Sequence, residues 1–288
     1  MSTLRAVADK LATAAYARTM AMPLERVQHS CTPGTVRRVA QVAPWLRRLT
    51  LHLPDLRGYA VLGPDEFVGL VMPRTGARLP DLSAVSGPNP RPVIGELPEQ
   101  VRPDVRWYTV REWRAEAAEM DIEVVLHPAG EVDEGPGASW VRRARPGDEV
   151  AVQTGTTCYH PPREARVQVV AGDETAYPAI AGILGATRSR GGDAPELHVL
   201  LEVERPGVVP ELEAPARGSL TVVPRQGRRV GEPLLEAVEG LGARPDYGWV
   251  CGEQELAASV RRHLVKDRDV PRTSVYFCAY WIEGRPRG

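Results

Sequence analysis

The feature that most restricts what this chain can fold into is a change of hydrophobic period at Pro161-Pro162. Before it, short apolar runs alternate with turn residues. Residues 35–42, 46–53, 66–72, the segment around Arg106, 121–127 and 148–153 each read as a strand, and six short strands joined by turns close into an antiparallel barrel. After it, apolar strands at 166–171, 197–203, 219–223, 247–251 and 274–280 alternate with helical stretches that reach about 187, span 233–241, and reach about 265. That alternation predicts a five-stranded parallel sheet covered by helices on both faces. The expected fold class is therefore β plus α/β in two domains, a barrel over residues 31–161 and an α/β domain over 162–288. They follow an N-terminal helical arm over 1–30, in which Leu4, Val7, Leu11 and Ala15 fall at helical spacing to about residue 20. Pro23 and a turn at Pro33-Gly34 separate the arm from the first strand. The Pro/Gly-rich connection over 73–103 is long enough to be expected functional or disordered.

Charge excludes some partners. Lys plus Arg number 36 against 37 Asp plus Glu, a net charge of -1, so nothing draws the chain as a whole to nucleic acid or an anionic membrane. The opening Met-Ser-Thr-Leu-Arg carries charge where a signal peptide needs apolar residues, and no apolar run approaches membrane-spanning length. Cys31, Cys158, Cys251 and Cys278 form no Cys-x-x-Cys pair, which calls for no metal and fits a reducing compartment. The expectation is a soluble, cytoplasmic protein.

Two stretches of the barrel carry chemistry. Arg106-Trp107-Tyr108-Thr109-Val110-Arg111 places a cation, a flat aromatic and a hydroxyl within four residues. Strand alternation sends Arg106, Tyr108 and Val110 to one face and Trp107, Thr109 and Arg111 to the other. Such a set suits an aromatic cofactor carrying phosphate: a guanidinium clamps pyrophosphate, a phenol ring stacks, and a hydroxyl bonds a ring edge. An ordinary amphipathic strand is the competing reading. Gly135-Pro136-Gly137-Ala138-Ser139-Trp140 then leads into a helix whose first N–H groups are open to a phosphate; alone it is also simply a turn. In the α/β half, ligands are expected at the carboxyl ends of strands, here Gly172 to Thr175 and Cys251 to Glu253.

Taken together, Arg106-x-Tyr108-Thr109-x-Arg111, Val125-Leu126-His127, Gly137-Ala138-Ser139-Trp140, Gly172-Asp173-Glu174-Thr175-Ala176-x-Pro178-Ala179-Ile180, Trp249-x-x-Gly252-Glu253 and Tyr280-Trp281-x-x-Gly284 stand in one order over residues 35–284. This pattern resembles the ferredoxin-reductase superfamily, and within it the siderophore-interacting protein family of FAD-containing ferric-siderophore reductases. The chain departs from the family at an acidic insertion over 131–134, at Thr154-Gly155-Thr156-Thr157 after the last barrel strand, and at Ala279 before Tyr280-Trp281. The last two bear on the flavin edge and the substrate mouth.

The resemblance implies an FAD-binding barrel and a nicotinamide-type α/β domain. Tyr108 would lie against the isoalloxazine and Thr109 near its reactive nitrogen. Arg106 and the amides of Gly137, Ala138 and Ser139, beside Trp140 and Trp107, would hold the pyrophosphate. Val125, Leu126 and His127 would border the flavin. NAD(P)H would meet Asp173, Thr175, Ala176, Gly252 and Glu253. The stretch has no second glycine and two carboxylates that repel a pyrophosphate, so a helix cap by Asp173 is an equal reading. Arg225, Arg228 and Arg229 are candidates for the extra phosphate of NADPH, or a solvated loop. Arg262, Trp281 and Arg285 are candidates for the acceptor, a ferric siderophore or another small molecule, with an electron-transfer protein as a possible partner. A flavin-dependent biosynthetic oxidoreductase and a non-catalytic binding protein on the same scaffold are the alternatives.

Overall fold

In the computed structural model of the chain, the structure describes residues 18–126, 135–205, 209–210 and 212–284. They fall into two compact units, one built on Leu24–Thr157 and the other on most of the chain from Cys158 to Glu283. The expected arm helix lies outside the described residues for nearly all of its length, and Arg18 to Met20 form a turn.

The first unit is a closed six-stranded barrel. Its strands are β1 (Cys31–Ala43), β2 (Leu46–His52), β3 (Phe67–Met72), β4 (Asp104–Arg114), β5 (Glu119–Val125) and β6 (Glu149–Thr154). Their order around the barrel is β1-β2-β5-β4-β3-β6, with antiparallel pairing throughout. Alternation along each strand sends Leu49, Leu51, Val68, Leu70, Met120, Ile122, Val150 and Val152 into one fully buried core. Each such side chain contributes about 1.5–3 kcal/mol on burial. One helix, α2 (Pro136–Arg143), adds Trp140 and Val141 to that core.

Three features depart from the sequence reading. Pro33-Gly34 is not a turn: β1 runs through it, pairing Pro33 with Ala151 and Gly34 with Val150. Glycine is required there because a Cβ would sit 2.5 Å from the His52 carbonyl oxygen and from Leu53. The second is a bulge in β4 between Val110 and Glu112, where Arg111 is the extra residue and the alternation reverses beyond it. Trp113 packs on the barrel core, while Arg111 reaches Glu123 at 3.1 Å. The third is the connection over 73–103, which contains a one-turn helix, α1 (Arg91–Gly95). Its Leu82, Val85 and Ile94 pack on Val71, Val105 and Ala151, residues that alternate with the barrel's core positions.

The second unit is a parallel sheet of β7 (Val167–Gly172), β8 (Glu196–Val203), β9 (Gly218–Pro224), β10 (Tyr247–Glu253) and β11 (Val275–Trp281) in the order β11-β10-β7-β8-β9. It carries helices α3 (Tyr177–Arg188), α4 (Glu232–Glu239) and α5 (Gln254–Lys266). The chain moves outward from β7 through β8 to β9, then returns to the other side of β7 with β10. The crevice outside the ends of β7 and β10 is therefore the switch point where such sheets bind ligands. Residues just before Pro23 belong to this unit: Ala21 N donates to the Val275 carbonyl at 2.9 Å, and Arg261 donates to the Thr19 carbonyl.

Candidate functional site

In the barrel unit, β4 and the start of α2 come together. A Cβ on Gly137 would run into the Tyr108 hydroxyl and lie 2.9 Å from Arg106 Cγ. The absence of a side chain at 137 thus lets the first turn of the helix lie directly against both residues. The α2 N-cap, Gly135, supplies no side-chain cap, and Pro136 has no N–H, so the Gly137 and Ala138 amides begin the helix. The Ser139 amide bonds back to the Gly135 carbonyl at 3.2 Å, and its hydroxyl accepts from Arg143. Arg106 donates to the Val105 carbonyl at 2.7 Å. Burial holds the Tyr108 phenol well above its ordinary pKa, with Arg106 opposing, so it stays neutral.

The other expected barrel residues spread over two surfaces. Trp107 lies on the opposite side of β4 from Tyr108, over Gly69 and edge-on to Phe67 at 5.3 Å. Thr109 is buried at 8% exposure and pairs with Phe67. Trp140 and Leu126 are buried in the barrel core, Val125 ends β5, and the Leu126 amide bonds the Trp45 carbonyl at 2.7 Å. His127 and Arg285 lie outside the described residues. Arg111, the last residue of the motif, shares Glu123 with Arg48 in a ladder of ion pairs. Asp121 extends it, accepting from Arg114 and from the Thr50 hydroxyl.

At the switch point of the α/β unit, Asp173 is fully buried, and its carboxylate accepts four hydrogen bonds. Oδ1 takes the Thr175 amide (2.9 Å) and hydroxyl (2.5 Å); Oδ2 takes the Glu253 amide (2.6 Å) and the Trp281 indole N–H (2.9 Å). Gly252, at φ 146°, makes room: a Cβ there would lie 2.6 Å from Oδ2. The Glu253 carboxylate caps α5 through the amides of Glu255 and Leu256. Ala176 has no exposed surface, and Arg262 stands exposed on α5. Thr175, Glu253 and Trp281 are thus brought together on the Asp173 carboxylate, with Gly252 packed against it.

Beside them sits a pairing the sequence reading missed. Arg225 bonds Glu202 (2.9 Å) and Glu174 (2.8 Å), and Glu202 has no exposed surface. Burial, then the neighbouring Asp173 charge, raises the Glu174 carboxyl to about 7 against the pull of Arg225. The available signal was a lone Glu inside the apolar run of β8, since a buried carboxylate requires a partner. Among the described residues no group of His, Cys, Asp and Glu is placed to hold a metal ion, and no helix is long and apolar enough to cross a membrane.

A closed antiparallel barrel followed by a parallel sheet in the order β11-β10-β7-β8-β9 is the two-domain fold of the ferredoxin-reductase type, here with an arginine and a tyrosine of β4 against a glycine-led helix. Residues 35–156 match the siderophore-interacting FAD-binding domain, and residues 165–284 match the siderophore-interacting protein domain. The chain belongs to the siderophore-interacting protein family. It is 29% identical over 245 residues to the ferric vibriobactin reductase ViuB of Vibrio cholerae, covering 83% of this chain and 85% of that protein. It is 33% identical over 187 residues, 64% of its length, to the mycobactin import ATP-binding/permease protein IrtA of Mycolicibacterium smegmatis, of which it spans 20%. Among solved structures, the siderophore-interacting protein SipS from Aeromonas hydrophila superposes with a TM-score of 0.70 at 29% identity, over 88% of this chain and 92% of that one.

Proposed function

We propose that this protein is an FAD-dependent ferric-siderophore reductase that takes electrons from a nicotinamide donor and passes them to siderophore-bound Fe(III). The observation that carries the reading is the close approach of Gly137 to both Tyr108 and Arg106, in a chain of this family. The three residues fit FAD by their chemistry. Arg106 and the Gly137 and Ala138 amides would hold the pyrophosphate, and the neutral Tyr108 ring would offer its face to the isoalloxazine. Thr109 and the backbone of Val125, Leu126 and His127 border the ring system. Trp140 and Trp107 support this cradle from the core and from the far face of β4.

FAD, when bound, supplies the conversion of a hydride's electron pair into single electrons. The protein's part is to bind, orient and shield. Hydroxamate and catecholate oxygens are hard anionic ligands matched to Fe(III), so reduction to Fe(II) loosens the cage. One donor serves two ferric centres. In the α/β unit, Thr175, Gly252 and Glu253 frame the donor crevice beside Asp173, with Ala176 packed beneath them. Trp281, Arg262 and Arg285 serve the acceptor, and an electron-transfer protein is a further possible partner. We place the reaction in the cytoplasm.

Stopped-flow mixing of anaerobic, dithionite-reduced protein with one hydroxamate and one catecholate ferric siderophore tests this. Rapid flavin reoxidation, accelerated by a ferrous-iron trap, is the expected result. A reduced flavin stable against both, but quickly oxidised by another small-molecule acceptor, transfers the protein to biosynthetic redox chemistry.

A further inference from the structure

We infer that the α/β unit does not recognise a 2′-phosphate, so that its donor is NADH and not NADPH. The inference deepens the donor half of the reading above and rests on it. In this loop, recognition of the extra phosphate would fall to an arginine able to turn its fork of donors toward the ligand. The loop after β9 supplies Arg225, Arg228 and Arg229, and the residues around them do not fit that role.

Arg225 is held on two sides, with Nε on Glu202 at 2.9 Å and its terminal nitrogen on Glu174 at 2.8 Å. Glu202 cannot follow a ligand outward. It has no exposed surface, and it also accepts the Gly231 amide (3.0 and 3.1 Å) and the Leu234 amide (3.1 Å) at the start of α4. Gly231 in turn is fixed at φ 87°, where a Cβ would meet Leu256 at 2.8 Å. Drawing Arg225 away would leave Glu202 buried without its cation, a strongly unfavourable state. Arg228 is forked onto Glu236 at 2.7 and 2.6 Å. Arg229 is exposed, and ordering a flexible surface side chain onto a phosphate costs entropy that a preorganised site does not.

The carboxylates reinforce the exclusion. A phosphate placed at Arg225 would lie beside Glu174 and Glu202, with Asp173 close enough to raise the Glu174 pKa. The ordinary ribose of NADH carries only hydroxyls, which hydrogen-bond to carboxylates rather than being repelled by them.

The test is titration calorimetry of the FAD-loaded protein with 5′-AMP and with 2′,5′-ADP, paired with anaerobic flavin reduction by NADH and by NADPH. We expect 5′-AMP to bind about tenfold tighter or more, and NADH to reduce the flavin with a matching advantage. Glu174→Gln, which removes one carboxylate and frees one face of Arg225, should narrow the gap in both measurements. Arg228→Ala should leave the ratio unchanged. Tighter binding of 2′,5′-ADP, or a loss specific to 2′,5′-ADP in Arg228→Ala, overturns the inference. So does failure of both nucleotides to bind, which removes the nicotinamide donor as well. The ferric-siderophore reading is judged separately, because dithionite-reduced protein needs no donor.

Discussion

The indole N–H of Trp281 donates to the Asp173 carboxylate at 2.9 Å, tying the end of β11 to the end of β7 across the intervening β10. The same carboxylate oxygen accepts the Glu253 amide from β10, so one buried side chain joins three adjacent strand ends. Asp173→Asn replaces one acceptor oxygen with an NH2 group that confronts the donors of Glu253, Thr175 or Trp281. It should lower stability by about 3 kcal/mol, in the range for breaking a buried charged network. Trp281→Phe removes a single donor and should cost about 1 kcal/mol. Denaturant midpoints followed by circular dichroism check both, and equal losses would show that the indole contributes as much as the carboxylate.

Gly137→Ala should weaken FAD retention more than any stability change explains, because the new methyl meets Tyr108 and Arg106 directly. Arg106→Ala should reduce FAD affinity by about 1.5–3 kcal/mol, the contribution of a charge-assisted hydrogen bond. Fluorescence titration of apoprotein with FAD measures both. Full flavin occupancy after dialysis of each variant would remove β4 and α2 from the cofactor site.

Tyr108 and Trp107 are neighbours in sequence with separate tasks. Trp107 covers Gly69 and meets Phe67 edge-on, so Trp107→Ala should lower barrel stability by about 2 kcal/mol. Tyr108→Ala should chiefly change the flavin's visible spectrum and affinity. Spectra and unfolding midpoints of the two variants should therefore diverge, and a shared pattern would contradict their placement on opposite faces.

Glu174 gives the protein a pH signature. Its carboxyl is raised from 4.5 to about 7, so between those values the folded state binds the proton more tightly than the unfolded chain. Stability contributed by the protonated form is fully present below about pH 4.5 and is lost as pH rises through 7. Relative to Glu174→Gln, the wild type should lose about 2–3 kcal/mol between pH 5 and pH 8, with burial and then Asp173 opposing ionisation and Arg225 favouring it. Paired denaturation curves across that interval decide it; a constant difference would mean that Glu174 is ionised throughout.

Both layers of the fold were legible because each follows from periodicity. Period-two strands before Pro161 and strand–helix alternation after it are local properties of the chain, and the barrel and the parallel sheet follow from them. Pro33-Gly34 misled because the same dipeptide serves a turn or a close strand approach, and only the His52 carbonyl on the neighbouring strand decides between them. The bulge at Arg111 was hidden for a similar reason, since its cause lies in the register against β5. The meeting of Arg106, Tyr108 and Gly137 was anticipated by their order in the chain. The pairing of Arg225 with Glu202 and Glu174 was not, because three separate strand ends supply it. Charge type can be read from a sequence, but whether a guanidinium is already engaged depends on neighbours 51 and 23 positions away.

The connection over 73–103 covers the barrel unevenly, and that difference has a practical use. Its Leu82, Val85 and Ile94 are anchors, and deleting them would uncover an oily strip that invites self-association. The turn from Arg74 to Ala77 is the reverse: Gly76 sits at φ 78° with open space around it. A reporter peptide spliced there should leave bound flavin and the monomer–oligomer balance as in the parent, measurable by absorbance and light scattering. The same splice at Val85 should yield aggregates. The protein thus offers a tagging point on its cofactor-binding half that leaves both chain ends unmodified.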